Sequence, residues 1–149
     1  MKDADPQYRP TRFRRPLGAF APTRRKRLGS AAEVWCAERD RLLGEQREFF
    51  IVYDLTTRLG VIERRVCAIG TLNGIEVHPR EVFRPAILNA AASIIVVHNH
   101  PSGECVPSAA DIVLTARLRE VGDLIGITLA DHVIVAADGY ASLAERGWV

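Results

Sequence analysis

Residues 94–97, Ile-Ile-Val-Val, form an uninterrupted apolar run that stops at His98. A strand that is apolar at every position, rather than at alternate ones, needs cover on both faces. That requires helices on the two sides of a sheet. It also places whatever follows His98 at the carboxyl end of a buried strand, where α/β sheets form their binding crevices.

The flanking sequence supplies the cover. Ser30 suits an N-cap, and Val34, Ala37, Arg41 and Leu42 recur near helical spacing before a stop at Gly44. Phe49–Tyr53 is aromatic and β-branched and reads as a strand. Val61–Ile69 reads as a second one across a turn at residues 57–60. His78-Pro79 opens a helix with Val82, Phe83, Ala86, Ile87 and Ala90 on one face and a kink expected at Pro85. A third helix is expected from Ser108 to Ile125, with Leu114, Leu118, Val121 and Ile125 as its buried stripe and Gly126 as its cap. His132–Ala136 closes the pattern as a strand, and Asp138-Gly139 turns the chain into Tyr140–Leu143. Strands alternating with helices imply a layered α/β domain.

A chain of 149 residues fits one domain and can bury a core without disulfides or a structural metal. Charge divides it unevenly. Residues 1–29 hold nine basic side chains against two acidic ones, with four prolines and no apolar periodicity. They read as a basic, mobile tail ahead of a folded, mildly acidic domain over residues 30–149. The tail is either a solvated extension or an electrostatic contact for nucleic acid or an acidic partner. Cys36, Cys67 and Cys105 lack the spacing of a disulfide framework or a zinc ribbon. There is no apolar signal core or membrane-length run, so a cytoplasmic protein without membrane association is expected.

The chemistry concentrates in residues 98–111. His98 and His100, two apart on extended chain, point the same way and reach one ion. Pro101-Ser102-Gly103 turns the chain, and Asp111, one turn into the next helix, brings a carboxylate to the same ion. Two imidazoles and one carboxylate leave a fourth position for water, as in catalytic rather than structural zinc sites. Zinc suits that ligand set, and iron or manganese share it. Ser108-x-x-Asp111 is also a helix capping box. The two roles are compatible, because one carboxylate oxygen can face the ion while the serine caps the helix.

The spacing His98-x-His100, seven residues, Ser108-x-x-Asp111 resembles the JAMM (MPN+) metalloprotease motif. Residues 77–82 (Val-His-Pro-Arg-Glu-Val), 98–103 (His-Asn-His-Pro-Ser-Gly) and Asp131-His132 resemble its bacterial RadC-type branch over roughly residues 45–149. Many such proteins carry a longer N-terminal region; the sequence looks like the shorter versions, with a short helix and the basic tail expected in its place. The resemblance implies a single α/β domain of the JAMM/MPN kind, with a central mixed β-sheet flanked by helices. It implies one Zn2+ per chain on His98, His100 and Asp111, and amide hydrolysis of a peptide or protein substrate. It further implies a glutamate general base before an early strand, matched by Glu48, and a Ser108 hydroxyl that stabilises the oxyanion. Glu76 and Glu104 compete for the role of base. Cys105 reads as a bystander in the loop and His78 as a helix-entry residue. His132 is either a support for the site or a hydrogen-bonded, partly buried histidine.

Other functions fit less well. A zinc nucleobase deaminase needs H-x-E and P-C-x-x-C, which are absent. A metal-free scaffold would not need all three ligands. A DNA-associated role, in repair or on a mobile element, rests on the basic tail, since no base-reading module is present.

Overall fold

The computed structural model describes residues 26–70 and 76–149. The expected tail lies outside the described residues as far as residue 25. Residues 26–29, also expected in the tail, pack on the domain. Arg27 bridges to Gly60, the Leu28 amide donates to the Leu59 carbonyl, and the Leu28 side chain is buried.

The chain order is α1 (Ala31–Leu42), β1 (Phe49–Leu55), β2 (Val61–Ile69), α2 (Pro79–Leu88), β3 (Ser93–Asn99), α3 (Ala109–Ile125), β4 (Thr128–Ala136) and β5 (Gly139–Ser142). The strands form one mixed sheet in the order β2-β1-β3-β4-β5. Only β3 and β4 run parallel, and α3 is the crossover between them. β1 joins β2 and β3 antiparallel, and β4 and β5 form a hairpin.

The apolar run at 94–97 is fully buried, as its composition required. Alternate residues enter different cores. Ile94 and Val96 pack with Phe50, Val52, Val82, Phe83 and Leu118 under α2 and α3. Ile95 and Val97 pack with Ile51, Tyr53, Val34 and Leu42 under α1. His98 continues the first of these rows, so its ring emerges on the side of the sheet covered by α3.

Two helical faces differ from expectation. On α2 the buried residues are Pro79, Val82, Phe83 and Ala86, while Ile87 is 57% exposed and Ala90 lies beyond the helix at positive φ. On α3 the buried row is Asp111, Thr115, Leu118 and Gly122; Leu114 and Val121 flank it half-buried, and Ile125 is exposed. The helix is rotated so that two polar side chains face the sheet. Polar burial also occurs on α1, where Glu38 is fully covered and the expected face residue Arg41 is exposed.

Candidate metal centre

Three segments deliver the candidate ligands. β3 ends in His98 and Asn99, and the chain leaves the sheet at His100. Ser108 begins α3, its Oγ accepting the Asp111 amide (3.2 Å) while Asp111 Oδ2 accepts the Ser108 amide (2.7 Å) and hydroxyl (2.6 Å). This capping box turns the carboxylate back over the first helical turn. Glu48 immediately precedes β1, which pairs with β3 through Phe50 and His98.

The side chains of Glu48, His98, His100 and Asp111 each direct one ligand atom into a cluster whose members all lie within 4.8 Å of one another. His98 Nε2 is 2.9 Å from His100 Nε2 and 3.2 Å from Asp111 Oδ1. His100 Nε2 is 3.3 Å from Asp111 Oδ2. Donor atoms about 2.0–2.1 Å from a tetrahedral ion sit roughly 3.3 Å from each other. The three nearest groups therefore already have the mutual spacing of a ligand shell. Glu48 Oε1 stands farther back, 3.9 Å from His98 Nε2.

The orientation of His100 suits a cation. Its Nδ1 lies 3.0 Å from the Glu104 carbonyl, which can only accept, so Nδ1 carries a hydrogen and Nε2 is the nitrogen turned inward, bare whenever the ring is neutral. Charge favours the same occupant. Burial pushes the Asp111 carboxyl up, but the imidazoles of His100 and His98 and the Ser108 hydroxyl, all drawn against it, outweigh burial and hold the group well below the usual carboxylate range. The hydrogen bond to Asp111 pulls His100 up against its partial burial, which favours positive charge at the Nε2 position that a cation would take. A group of two imidazoles and two carboxylates, drawn this close, fits a divalent cation of the borderline class.

Other residues singled out by sequence take different places. Ser108 lines the cleft beside the cluster, with its hydroxyl proton committed to Asp111. Glu104 contributes its carbonyl to His100, and its carboxylate is outside the cluster. Glu76 lies along the same cleft, also outside the cluster. Cys105 packs half-buried against Ile134, Ala141 and Leu143. His78 is the N-cap residue of α2 and makes no side-chain capping bond. His132 is fully buried directly behind His98, its Nε2 2.7 Å from His98 Nδ1.

Two contributors carried no sequence signal. Asn99, between the histidines, accepts the Phe49 amide (2.9 Å) and donates to the Arg47 carbonyl (3.0 Å). Thr115, one turn after Asp111, lies against His132. Spacing four residues from Asp111 places Thr115 on the inner face, but a threonine there looks like any helical surface residue.

An open cleft of about 980 Å³ leads to the cluster, lined by Glu48, Val77, Ser108, Asp111, Val113 and Leu114 among others. No described helix is long and apolar enough to cross a membrane.

The model of the RadC-like JAB domain matches residues 28–148. The chain is 40% identical over 135 residues to a UPF0758 protein of Methanosarcina acetivorans, covering 91% of this chain and 59% of that one. It is 50% identical over 103 residues to a UPF0758 protein of Desulforamulus reducens (69% and 45% of the two chains). A UPF0758 protein of Rubrobacter xylanophilus is 47% identical over 120 residues (80% and 52%). The match thus spans about half the length of these relatives.

Proposed function

The chain belongs to the RadC-like JAB domain family, and from that premise we propose that its four-residue cluster is a zinc-dependent hydrolytic centre that cleaves an amide bond in a peptide or protein. The observation that carries this reading is the unequal spacing of the cluster. Three groups sit at ligand separations from one another, and a fourth carboxylate stands back on the cleft side.

His98, His100 and Asp111 would hold the cation. A zinc ion held there would supply Lewis acidity and would make water acidic enough, with a pKa of about 7, to give up a proton at neutral pH. Glu48 takes the proton of the attacking water and returns it to the leaving nitrogen. Ser108 turns its hydroxyl from Asp111 toward the developing oxyanion, a donor of the kind worth about 10²–10³ in rate. Val113 and Leu114 offer apolar contact for substrate side chains along the cleft.

The test is elemental analysis of purified protein beside His98→Ala and Glu48→Gln, each assayed on a peptide library. Zinc and cleavage in the unmodified protein, neither in His98→Ala, and zinc without cleavage in Glu48→Gln are expected. Loss of the metal in Glu48→Gln would make Glu48 a ligand rather than the base. Absence of any bound cation in the unmodified protein after zinc supplementation would sink the proposal.

A further inference from the structure

We propose that Thr115 and His132 are positioning residues that fix the tautomer of His98, so that its Nε2 faces the cluster as a bare lone pair. This rests on the reading of the cluster as a cation site and says how one of its ligands is kept ready.

The Thr115 hydroxyl oxygen lies 2.6 Å from the Asp111 carbonyl oxygen and 2.6 Å from His132 Nδ1. A carbonyl can only accept, so the one hydroxyl hydrogen goes to Asp111. His132 Nδ1 must then be the donor to Thr115 Oγ1, because two bare acceptors at that distance would repel. A neutral imidazole with hydrogen on Nδ1 has an acceptor at Nε2. That atom lies 2.7 Å from His98 Nδ1, so His98 donates from Nδ1 and its Nε2 is left without a hydrogen. Nε2 is the atom that faces His100 and Asp111.

No step of this chain can be replaced by water. His98, Thr115 and His132 are all buried. Phe50 stacks on the His98 ring (centroids 6.2 Å, planes 20° apart) and meets the His132 ring edge-on (5.7 Å, 71°), so neither imidazole is free to turn over. The fold explains the relay. In the parallel pairing of β3 with β4, His132 stands opposite Val96, two residues before His98 and on the same face of the sheet. Asp111 thereby acts twice, presenting its carboxylate to the cluster and anchoring with its carbonyl the chain that orients His98.

The experiment uses the whole chain with Thr115→Val, which keeps size and removes the hydroxyl, and Thr115→Ser, which restores it. Zinc affinity is measured by chelator competition, and ring tautomers by long-range proton–nitrogen NMR. In the unmodified, cation-free protein at alkaline pH, His132 should carry hydrogen on Nδ1 with a bare Nε2. Zinc affinity should fall about 10–100-fold in Thr115→Val and return to within about threefold in Thr115→Ser. An Nε2-protonated His132, or a folded Thr115→Val that binds zinc as tightly as the unmodified protein, would overturn the proposal. Should Thr115→Val fail to fold, the spectrum of the unmodified protein decides alone. Failure of the unmodified protein to bind zinc at all would reject the cation site, while the tautomers would still report on the relay.

Discussion

Asn99 grips the backbone on either side of Glu48. Its amide nitrogen donates to the Arg47 carbonyl and its amide oxygen accepts the Phe49 N–H, while the Glu48 carbonyl itself accepts the Gly70 N–H at 2.7 Å. The side chain that lies between the two histidines in sequence thus sets where the carboxylate enters the cluster.

Asn99→Ala should therefore separate the proposed base, Glu48, from the proposed ligands. Removing two part-buried hydrogen bonds costs about 1–3 kcal/mol of stability. Zinc affinity should change little, because His98, His100 and Asp111 are held by other contacts, whereas peptide cleavage should fall by at least tenfold. Asn99→Asp keeps an acceptor for Phe49 but sets a carboxylate against the Arg47 carbonyl, so it should not restore the rate. Urea unfolding, chelator competition and turnover on one peptide distinguish these outcomes. Equal losses of zinc binding and turnover would place the effect of Asn99 on the ligands instead.

Cation binding should be visible as stability. A ligand that binds only the folded state at 100 times its Kd adds about 2.7 kcal/mol. Chelator-stripped protein should melt several degrees lower than zinc-loaded protein, and His98→Ala should melt at one temperature with or without zinc. Calorimetry in both states checks this. A shift that persists in His98→Ala would place the cation elsewhere.

Much of the fold was legible because its signals are local. Ile94–Val97 has no polar position, so burial on both faces followed directly, and the strand's end fixed the place of His98 and His100. Ser108 and Asp111 declared both the start of α3 and a carboxylate near the loop. The illegible part is buried polarity. Glu38, Asn99 and Thr115 look solvent-facing in any hydropathy pattern, and only the partners brought by distant elements make their burial affordable. The same ignorance misaligned the α3 stripe. Periodicity selected Leu114 and Ile125, whereas the interior row begins with Asp111 and Thr115, whose partners are on β3 and β4.

Tyr53 predicts an alkaline limit to stability. Its hydroxyl donates to the buried carboxylate of Glu38, which also receives two bonds from Arg64, each 2.7 Å. Burial, then the hydrogen bond and charge of Glu38, push the Tyr53 phenol well above its ordinary value, against a smaller opposing effect of Arg64. The folded state thus keeps a proton that the unfolded chain releases near pH 10. The stabilisation is complete below about pH 10 and declines as pH rises beyond it. Urea midpoints should fall across that range, and Tyr53→Phe should flatten the decline while costing about 1–2 kcal/mol at neutral pH. An unchanged alkaline slope in Tyr53→Phe would assign the loss to other groups.

Gly122 tests whether close approach outweighs helix propensity. It lies inside α3, where alanine would ordinarily gain about 1 kcal/mol. Here the chain turns at Gly126, which holds φ at +73°, and Ile127 returns across the helix to donate its amide to the Gly122 carbonyl at 2.9 Å. A Cβ on Gly122 would stand 2.5 Å from the Ile127 carbonyl oxygen and 3.4 Å from Phe83 Cζ. The first contact is with backbone, so relief requires moving the start of β4 away from α3. Overpacking of this kind costs about 1–3 kcal/mol, enough to reverse the propensity gain. Gly122→Ala should unfold at lower urea than the unmodified protein. Its zinc affinity in the folded state should be unchanged, because Asp111 lies in the first turn of the helix and Thr115 about two turns before Gly122. A Gly122→Ala protein of higher stability would mean that the approach of Ile127 to α3 is looser than the 2.5 Å contact requires.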